Sequence, residues 1–368
     1  MTTVVLAGPE GAAAHDGGAH PESPARVAAV MKGIEDLHLG TDLVLVDALP
    51  AAREDLARVH SLEYLDELEA FSRRGGGALD PDTFVTPDSW DTACRAAGAG
   101  LAAVAELERR QEGVAFVVAR PPGHHAERSR GMGFCLLNNV AVASASLVAA
   151  GKRVLVVDWD VHHGNGTQEI FWDEPAVLFA STHQSPLYPG TGRPEEVGGA
   201  GARGGTLNIP LPPAATGDVL RRAFDEVVAP AAESFGPDWV LVSCGFDAHR
   251  ADPLAGLALS SADFAALAST VHELAPAAGR MVLFLEGGYD LQAVRRSTSC
   301  TVGALVGDPA SPEEPTFGGP GTEAVRAAMA LRDRVLSSAG DERANARTLD
   351  APLTGRAVSS TTVLRNSW

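Results

Sequence analysis

The sequence has few cysteines and no long apolar segment. Four cysteines occur in 368 residues, without C-x-x-C spacing, so neither a disulfide framework nor a cysteine zinc knuckle is indicated. No stretch approaches the roughly 20 apolar residues of a membrane helix. Residues 1–10 lack the basic and apolar regions of a signal peptide. We therefore expect a cytoplasmic protein without membrane attachment, in a reducing compartment.

Positive charge is also scarce. Lysine and arginine number 29 against 47 aspartates and glutamates, which gives a formal net charge of −18 at pH 7. Nucleic-acid binding requires a basic face, so this balance argues against a nucleic-acid partner and favours neutral or cationic substrates. Solubility alone accounts for the same charge equally well.

Short apolar segments alternate with helical ones along most of the chain. The predicted strands that bear on function are 114–119, 154–157, 239–242 and 281–285. Alternation of strands and helices is typical of a parallel sheet covered by helices on both faces. We expect one α/β catalytic domain over residues 1–337. The polar tail, 338–368, is expected to be a mobile segment or an arm of a homo-oligomer.

Three local predictions concern helix boundaries. Ser23 as N-cap and Pro24 as first helical residue are expected to start the first helix. The leucine spacing over residues 53–72 predicts one helix, and the last helix is expected over about residues 323–336.

Polar residues follow four of the apolar strands, at the end where each strand finishes. They are His124 and His125, the segment Asp158 to His162, Asp247, and Tyr289. An open parallel sheet places its ligand crevice outside the carboxyl ends of its strands. We therefore expect four separate segments to contribute side chains to one pocket.

The strongest signal is the run of two carboxylates and an imidazole after the strand at 154–157. Alternate residues of an extended chain point the same way, so Asp158, Asp160 and His162 share one side. A lone D-x-H more often caps a helix than binds a metal. Together with Asp247, however, Asp160 and His162 form an open set of ligands for a divalent metal. Zn(II) suits this set, and Fe(II) is the alternative.

An open metal site with adjacent proton-transfer groups favours amide or ester hydrolysis. A bound metal polarises a carbonyl and lowers the pKa of its water toward about 7. His124 and His125 are expected to transfer protons, with Asp158 orienting one imidazole. Tyr289 is expected to stabilise the oxyanion. Taken alone, the two histidines would suit a surface position and the G-G-Y sequence a plain turn.

Five motifs occur in a fixed order: Arg120–Ala126, Gly131–Cys135, Asp158–Thr167, Gly245–His249 and Glu286–Tyr289. Together they resemble the zinc-dependent histone deacetylase family, specifically its class II and bacterial amidohydrolase branch. The resemblance implies an arginase-like three-layer α/β/α sandwich around an eight-stranded, mainly parallel sheet. It also implies removal of acetyl or other acyl groups from acyl-lysine in proteins or peptides, or from a small acylated amine.

The resemblance implies a role for individual residues. The implied zinc ligands are Asp160, His162 and Asp247. The implied catalytic residues are His125 as general base and later acid, His124 as an electrostatic partner held by Asp158, Tyr289 as oxyanion donor, and Asn165 as the support of His125. Another branch of the family has aspartate at the Asn165 position, so we expect His125 to be less strongly polarised here.

The resemblance further implies a narrow substrate tunnel and a monovalent cation, usually potassium. The expected tunnel residues are Gly133, Phe134 and Tyr188, with Leu254 at the mouth. The expected potassium-binding residues, several through backbone carbonyls, are Asp158, Asp160, His162, Ser181 and Thr182. A second cation is expected near Phe171 and Val177.

Three other interpretations stay open at this point. An arginase-type ureohydrolase needs further metal-binding carboxylates, whereas Gly164 and His249 stand at those positions. An inactive acyl-lysine-binding scaffold is disfavoured by Tyr289. An acetylpolyamine hydrolase resembling known relatives would carry glutamate where Leu254 lies, since a carboxylate at the mouth attracts a distant ammonium.

Overall fold

The computed structural model of the protein describes residues 2–8, 11–308 and 312–349. Its strands are β1 (Val4–Ala7), β2 (Leu43–Val46), β3 (Gly77–Ala78), β4 (Phe84–Val85), β5 (Val114–Val117), β6 (Val154–Asp158), β7 (Val177–Gln184), β8 (Thr206–Leu211), β9 (Trp239–Cys244) and β10 (Met281–Leu285). An eight-stranded sheet has the order β2-β1-β5-β10-β9-β6-β7-β8, and all its neighbouring strands are parallel. The predicted eight-stranded parallel sheet is therefore confirmed.

Helices cover both faces of this sheet. They are α1 (Ala25–Glu35), α2 (Arg53–Leu56), α3 (Leu62–Arg73), α4 (Ser89–Arg110), α5 (Asn139–Ala149), α6 (Asn165–Ile170), α7 (Gly217–Ala223), α8 (Ala229–Phe235), α9 (Ser261–Glu273), α10 (Leu291–Val306) and α11 (Thr322–Leu349). Residues of α2 to α6 pack into one apolar core, and residues of α1 and α7 to α11 pack into the other. The result is the expected three-layer α/β/α sandwich.

Strand β6 shows why the central strands are apolar throughout. All five of its residues are buried, because helices cover the sheet on both sides. Leu155 and Val157 belong to one core, and Val154 and Val156 to the other. A strand of this kind has no solvent-facing side, so it reads as a continuous apolar run.

The predicted start of α1 is wrong. The helix begins at Ala25, with Pro24 in the N-cap position and no side-chain cap. Pro24 already has helical dihedral angles (φ −54°, ψ −26°), and the Arg26 N–H bonds to the Ser23 carbonyl at 3.1 Å. Ser23 therefore supports the first turn through its backbone and not through its hydroxyl.

The single helix predicted over residues 53–72 is two helices, α2 and α3. The Ser61 hydroxyl accepts a hydrogen bond from the Tyr64 N–H at 3.2 Å and so caps α3. His60, in the break, is buried and accepts a hydrogen bond at Nε2 from the Asn138 N–H at 3.0 Å. The break between α2 and α3 thus contacts Asn138, a distant residue that the leucine spacing does not reveal.

The last helix is longer than predicted. It continues past residue 336 to Leu349, so the first part of the expected polar tail is helical. The remainder of that tail, 350–368, lies outside the described residues. No helix in the described segments combines the length and the apolar character needed to cross a membrane.

Candidate metal centre and active site

The four strands that precede the predicted site residues are neighbours at the centre of the sheet. They stand in the order β5-β10-β9-β6, all parallel. Their carboxyl ends therefore open at one edge, where the crevice of an open parallel sheet is found. The structure brings the four predicted segments together as expected.

Asp160, His162 and Asp247 form a compact cluster at this edge. One ligand atom from each residue lies within 4.8 Å of the others. His162 Nδ1 lies 3.1 Å from Asp160 Oδ1 and 3.2 Å from Asp247 Oδ2. Both carboxylates are buried. Trp159 and Val161 point the other way, into the core that contains β6 residues Leu155 and Val157, so the predicted alternation of side chains is present.

Backbone N–H groups hold most of the carboxylate oxygens. Asp160 Oδ1 accepts from the His162 N–H at 2.9 Å and Asp160 Oδ2 from the Gly287 N–H at 2.7 Å. Asp247 Oδ1 accepts from the Val161 N–H at 2.9 Å. Asp247 Oδ2 is buried and forms no hydrogen bond of good geometry in the described part of the chain, although His162 Nδ1 lies 3.2 Å away. A buried acceptor without a good hydrogen bond costs about 1–3 kcal/mol, so this oxygen is well placed to act as a ligand of a cation.

Two glycines leave the space that the carboxylates occupy. A Cβ on Gly245 would lie 2.1 Å from Asp160 Oδ2. A Cβ on Gly287 would lie 1.9 Å from Asp247 Oδ2 and 2.7 Å from Asp160 Oδ2. Both glycines are therefore needed for close approach of the backbone to the cluster. Gly288 is different, since its φ of +120° favours glycine whatever the surrounding space.

The charges of the cluster also fit a divalent metal. Burial and, to a smaller extent, the neighbouring Asp160 raise the pKa of Asp247 to about 7, although His162 opposes the shift. Burial lowers the pKa of His162, but the adjacent carboxylates of Asp160 and Asp247 outweigh this effect and raise the pKa to about 10. The two carboxylates thus require a positive charge between them. A divalent cation meets this requirement with the same two oxygens and one nitrogen.

His124 is paired with Asp158. Its Nδ1 donates to Asp158 Oδ2 at 2.9 Å, and both residues are buried. Burial lowers the pKa of His124, but the negative charges of Asp158 and Asp160 raise it well above its ordinary value. These carboxylates favour the charged form of the His124 imidazole.

His125 has a different environment. Its Nδ1 donates to Asn165 Oδ1 at 2.7 Å, and the Asn165 amide donates in turn to Glu127 Oε1 at 2.8 Å. Burial lowers the pKa of His125 well below its ordinary value, and the charges of His124 and His162 add to this effect. A neutral imidazole with a fixed Nδ1–H presents Nε2 as a proton acceptor. The two adjacent histidines are thus unlike in charge.

Tyr289 is held through both its backbone and its ring. The Tyr289 N–H donates to Asp252 Oδ2 at 2.7 Å. The ring packs edge-on against Phe134, with centroids 5.8 Å apart, and the Arg26 guanidinium lies 5.0 Å from its centroid. Burial raises the pKa of Tyr289 well above 10, so the phenol keeps its proton and can donate a hydrogen bond.

A cavity of about 300 Å³ opens above these residues. Its lining is His20, Pro21, Asp82, Pro122, His124, His125, Gly133, Phe134, His162, Tyr188, Leu254, Gly287 and Tyr289. The four residues predicted for the tunnel and its mouth are therefore all present. Tyr188 and Leu254 remain 41% and 38% exposed, which places them toward the opening.

Gly133 lies directly against the proposed proton-transfer group. A Cβ at this position would be 2.5 Å from His125 Cδ2 and 3.0 Å from the Tyr188 ring. Gly133 and Phe134 both have positive φ, +55° and +69°. The turn that presents Phe134 to the cavity therefore requires glycine at position 133.

The residues predicted for a potassium ion lie at the end of β6, in the segment that follows it, and in β7. Asp158 lies opposite Ser181 in the register of β6 and β7. The Ser181 hydroxyl bonds to His183 Nδ1 at 3.0 Å, whereas Thr182 Oγ1 is buried and without a partner among the described residues. Phe171 and Val177, named for a second cation, are buried apolar residues.

Sequence reasoning missed several residues of the site. Asp252 also accepts from the Leu254 N–H, at 3.0 Å, and so connects the mouth with Tyr289. Asp82 contributes an exposed carboxylate to the cavity lining. The apolar Leu254 had suggested a mouth without charge, whereas Asp82 places a negative charge there. Glu286 accepts hydrogen bonds from the N–H groups of Gly123 and His124, in the turn that carries His124 and His125. Two features of the sequence could have indicated these residues: Glu286 directly precedes the G-G-Y motif, and Asp252 lies two residues before Leu254.

Comparison with known proteins identifies the class to which this fold and site belong. The family model described as "Histone deacetylase domain" matches residues 20–305. The chain therefore belongs to the histone deacetylase family, as the five motifs predicted. Members of this family are hydrolases that act on acylated amines.

Individual relatives agree with this assignment. The chain is 41% identical over 316 residues to "Histone deacetylase 10, chloroplastic" of Oryza sativa subsp. japonica, covering 80% of this chain and 71% of the relative. It is 40% identical over 275 residues to "Histone deacetylase-like amidohydrolase" of Pseudomonas aeruginosa, covering 73% and 72%. The crystal structure of the HDA15 HD domain matches with a TM-score of 0.84 at 31% identity, covering 95% of this chain and 100% of that one.

Proposed function

We propose that the protein is a zinc-dependent amidohydrolase that removes acetyl or other acyl groups from the side-chain amine of acyl-lysine in proteins or peptides. The observation that carries the proposal is the cluster of Asp160, His162 and Asp247 beside a cavity that His125 and Tyr289 also line. Metal ligands, a proton acceptor and an oxyanion donor thus meet at one place.

The proposed chemistry divides among the residues of the chain. Zinc, when bound, would polarise the substrate carbonyl and activate water. Neutral His125 takes the proton of the attacking water and later gives it to the leaving amine. Tyr289 donates a hydrogen bond to the developing oxyanion. Positively charged His124, held by Asp158, stabilises negative charge in the same place, and Asn165 fixes the tautomer of His125.

Replacing Tyr289 by phenylalanine is expected to lower kcat roughly 100-fold, because one oxyanion donor is lost. Zinc content should be unchanged, since Tyr289 supplies no ligand. Tyr64→Phe is the matched control: its buried hydroxyl donates to the Leu136 carbonyl at 2.6 Å, and Tyr64 is not part of the cavity lining. If Tyr289→Phe turns over substrate as fast as the control, the Tyr289 hydroxyl is not an oxyanion donor and G-G-Y is a plain turn.

The substrate we propose is an acyl-lysine flanked by neutral backbone. Leu254, partly exposed at the cavity, offers an apolar contact there. Asp82 adds a carboxylate, which by itself would also attract a cationic amine. Relatives of the chain are named histone deacetylase, probable deacetylase and histone deacetylase-like amidohydrolase, and none of these names refers to acetylpolyamines.

The substrate class is tested by comparing kcat/KM for an acetyl-lysine peptide and for acetylspermidine. We expect the peptide to be preferred, and Leu254→Glu to reduce or invert the preference. A new carboxylate about 4 Å from an ammonium contributes about 1–4 kcal/mol, depending on exposure. Leu291→Glu is the matched control, since Leu291 is 39% exposed and is not part of the cavity lining. A native preference for acetylspermidine would overturn the assignment.

Other parts of the function are also proposals. We propose a potassium ion beside the zinc site, held by Asp158, Asp160, His162, Ser181 and Thr182. We propose Fe(II) as the alternative to zinc in the ligand set of Asp160, His162 and Asp247. The proposed partner is the substrate protein or peptide. A cytoplasmic location and a homo-oligomer remain predictions from the sequence.

A further inference from the structure

The carboxylate of Glu286 connects three of the four strand ends that build the site. The side chain is fully buried at the carboxyl end of β10. Its Oε2 accepts hydrogen bonds from the Gly123 N–H at 2.7 Å and the His124 N–H at 3.2 Å. Its Oε1 accepts from the Ser243 hydroxyl, on β9, at 3.2 Å. One side chain therefore joins β10 to β9 and to the turn after β5.

The two backbone donors belong to the turn that presents His124 and His125. On its other side, the His124 carbonyl accepts hydrogen bonds from the N–H groups of Gly166 and Thr167, at 3.0 and 3.2 Å. The turn is thus held between the start of α6 and Glu286. Among the described residues, Glu286 is the acceptor that the Gly123 and His124 N–H groups share.

Glu286 also stands three residues before Tyr289 on the same segment. The Glu286 carbonyl accepts a hydrogen bond from Arg26, and Arg26 Nε donates to the Gly288 carbonyl at 2.7 Å. Arg26 therefore holds the backbone of the segment that carries Tyr289. The Glu286 side chain of the same segment holds the turn that carries His124 and His125. Glu286 therefore links the turn that carries His125 to the segment that carries Tyr289, which Arg26 and Asp252 also hold.

We propose that Glu286 is a positioning residue for the reaction: one of its oxygens fixes the His124–His125 turn at the distance from Tyr289 that turnover requires. It does so without lining the cavity or touching the substrate. The proposal rests on the proposed function, in which His125 moves the proton and Tyr289 binds the oxyanion. A displacement of about 1 Å in such a pair can cost about 100-fold in rate.

Three variants test this role. Glu286→Met fills the same space but supplies no comparable oxygen, and it is expected to lower kcat between about 10-fold and 100-fold with KM within about twofold. Glu286→Gln keeps a carbonyl oxygen for both N–H groups and should retain kcat within about threefold. Ser243→Ala is the matched control, because it removes a bond to Oε1 and leaves Oε2 untouched. Should Glu286→Met fail to fold, Glu286→Ala carries the same expectation.

A second readout does not depend on activity. Hydrogen–deuterium exchange of a peptide spanning residues 120–126 should accelerate in Glu286→Met and stay near the native rate in Glu286→Gln and Ser243→Ala. Equal kcat losses in the Met and Gln variants, or unchanged exchange and kcat in Glu286→Met, would overturn the positioning role. A native enzyme that does not hydrolyse acetyl-lysine would instead refute the proposed function, and the exchange comparison would still decide whether Glu286 holds the turn.

Discussion

Replacing Gly287 by alanine is expected to abolish both zinc binding and turnover, the latter by about 1000-fold or more. The added Cβ would lie 1.9 Å from Asp247 Oδ2 and 2.7 Å from Asp160 Oδ2, well inside van der Waals contact. Two of the three proposed ligands would have to move, whereas ligand distances in a metal site are expected within about 0.2 Å of their standard values. The segment cannot withdraw easily, since the Gly287 N–H itself bonds to Asp160 at 2.7 Å.

Gly256→Ala provides the control for this prediction. A Cβ on Gly256 meets its nearest atom, the end of the Gln184 side chain, at 3.3 Å, and its φ is not in the left-handed region. Its zinc content and turnover should match those of the native protein. Measurement of metal content and kcat on both variants separates the effect of the clash from that of an extra methyl group. Full zinc content in Gly287→Ala would show that the ligands have been misassigned.

Replacing His125 by alanine should have the second-largest effect, a fall in kcat of about 1000-fold, because a positioned acid–base group contributes about 10²–10⁴-fold. The fall in kcat for His124→Ala should be smaller by about tenfold or more. The structure distinguishes the two rings: His125 faces the Asn165 amide, whereas His124 faces the Asp158 carboxylate. The pKa of His125 is lowered and that of His124 is raised, so His125 is the better proton acceptor.

Zinc content must accompany the kinetics of both histidine variants. His124 Nε2 lies 3.8 Å from Asp160 Oδ1, so His124→Ala could disturb a ligand as well as remove a charge. Turnover expressed per bound zinc isolates the catalytic effect. Equal losses per zinc in the two variants would contradict the assignment of His125 as the proton-transfer residue.

The sequence predicted the centre of the fold well, for a physical reason. Central strands of a covered parallel sheet are apolar on both faces, so runs such as Val154–Val157 stand out without any structural information. The polar residues that follow them must lie at the carboxyl edge. The positions of Asp160, His162 and Asp247 and of both histidines at this edge could therefore be predicted from the strand ends.

Long-range contacts account for what the sequence did not show. His60 bonds to Asn138 and lies in the break between α2 and α3, where the leucine spacing predicted one continuous helix. Glu286 reaches Gly123, 163 residues away in sequence, and Asp252 reaches Tyr289 across 37 residues. Such partners have no periodicity and no local motif, because their chemistry is defined only when the strands are assembled.

The most direct test of a zinc amidohydrolase is to measure metal content and acetyl-lysine peptide turnover on the same sample of native protein. The cluster of Asp160, His162 and Asp247 predicts about one zinc per chain when zinc is supplied. Chelation should remove the metal and the turnover together, and added Zn(II) should restore both. Full turnover by protein shown to be free of metal would contradict the account.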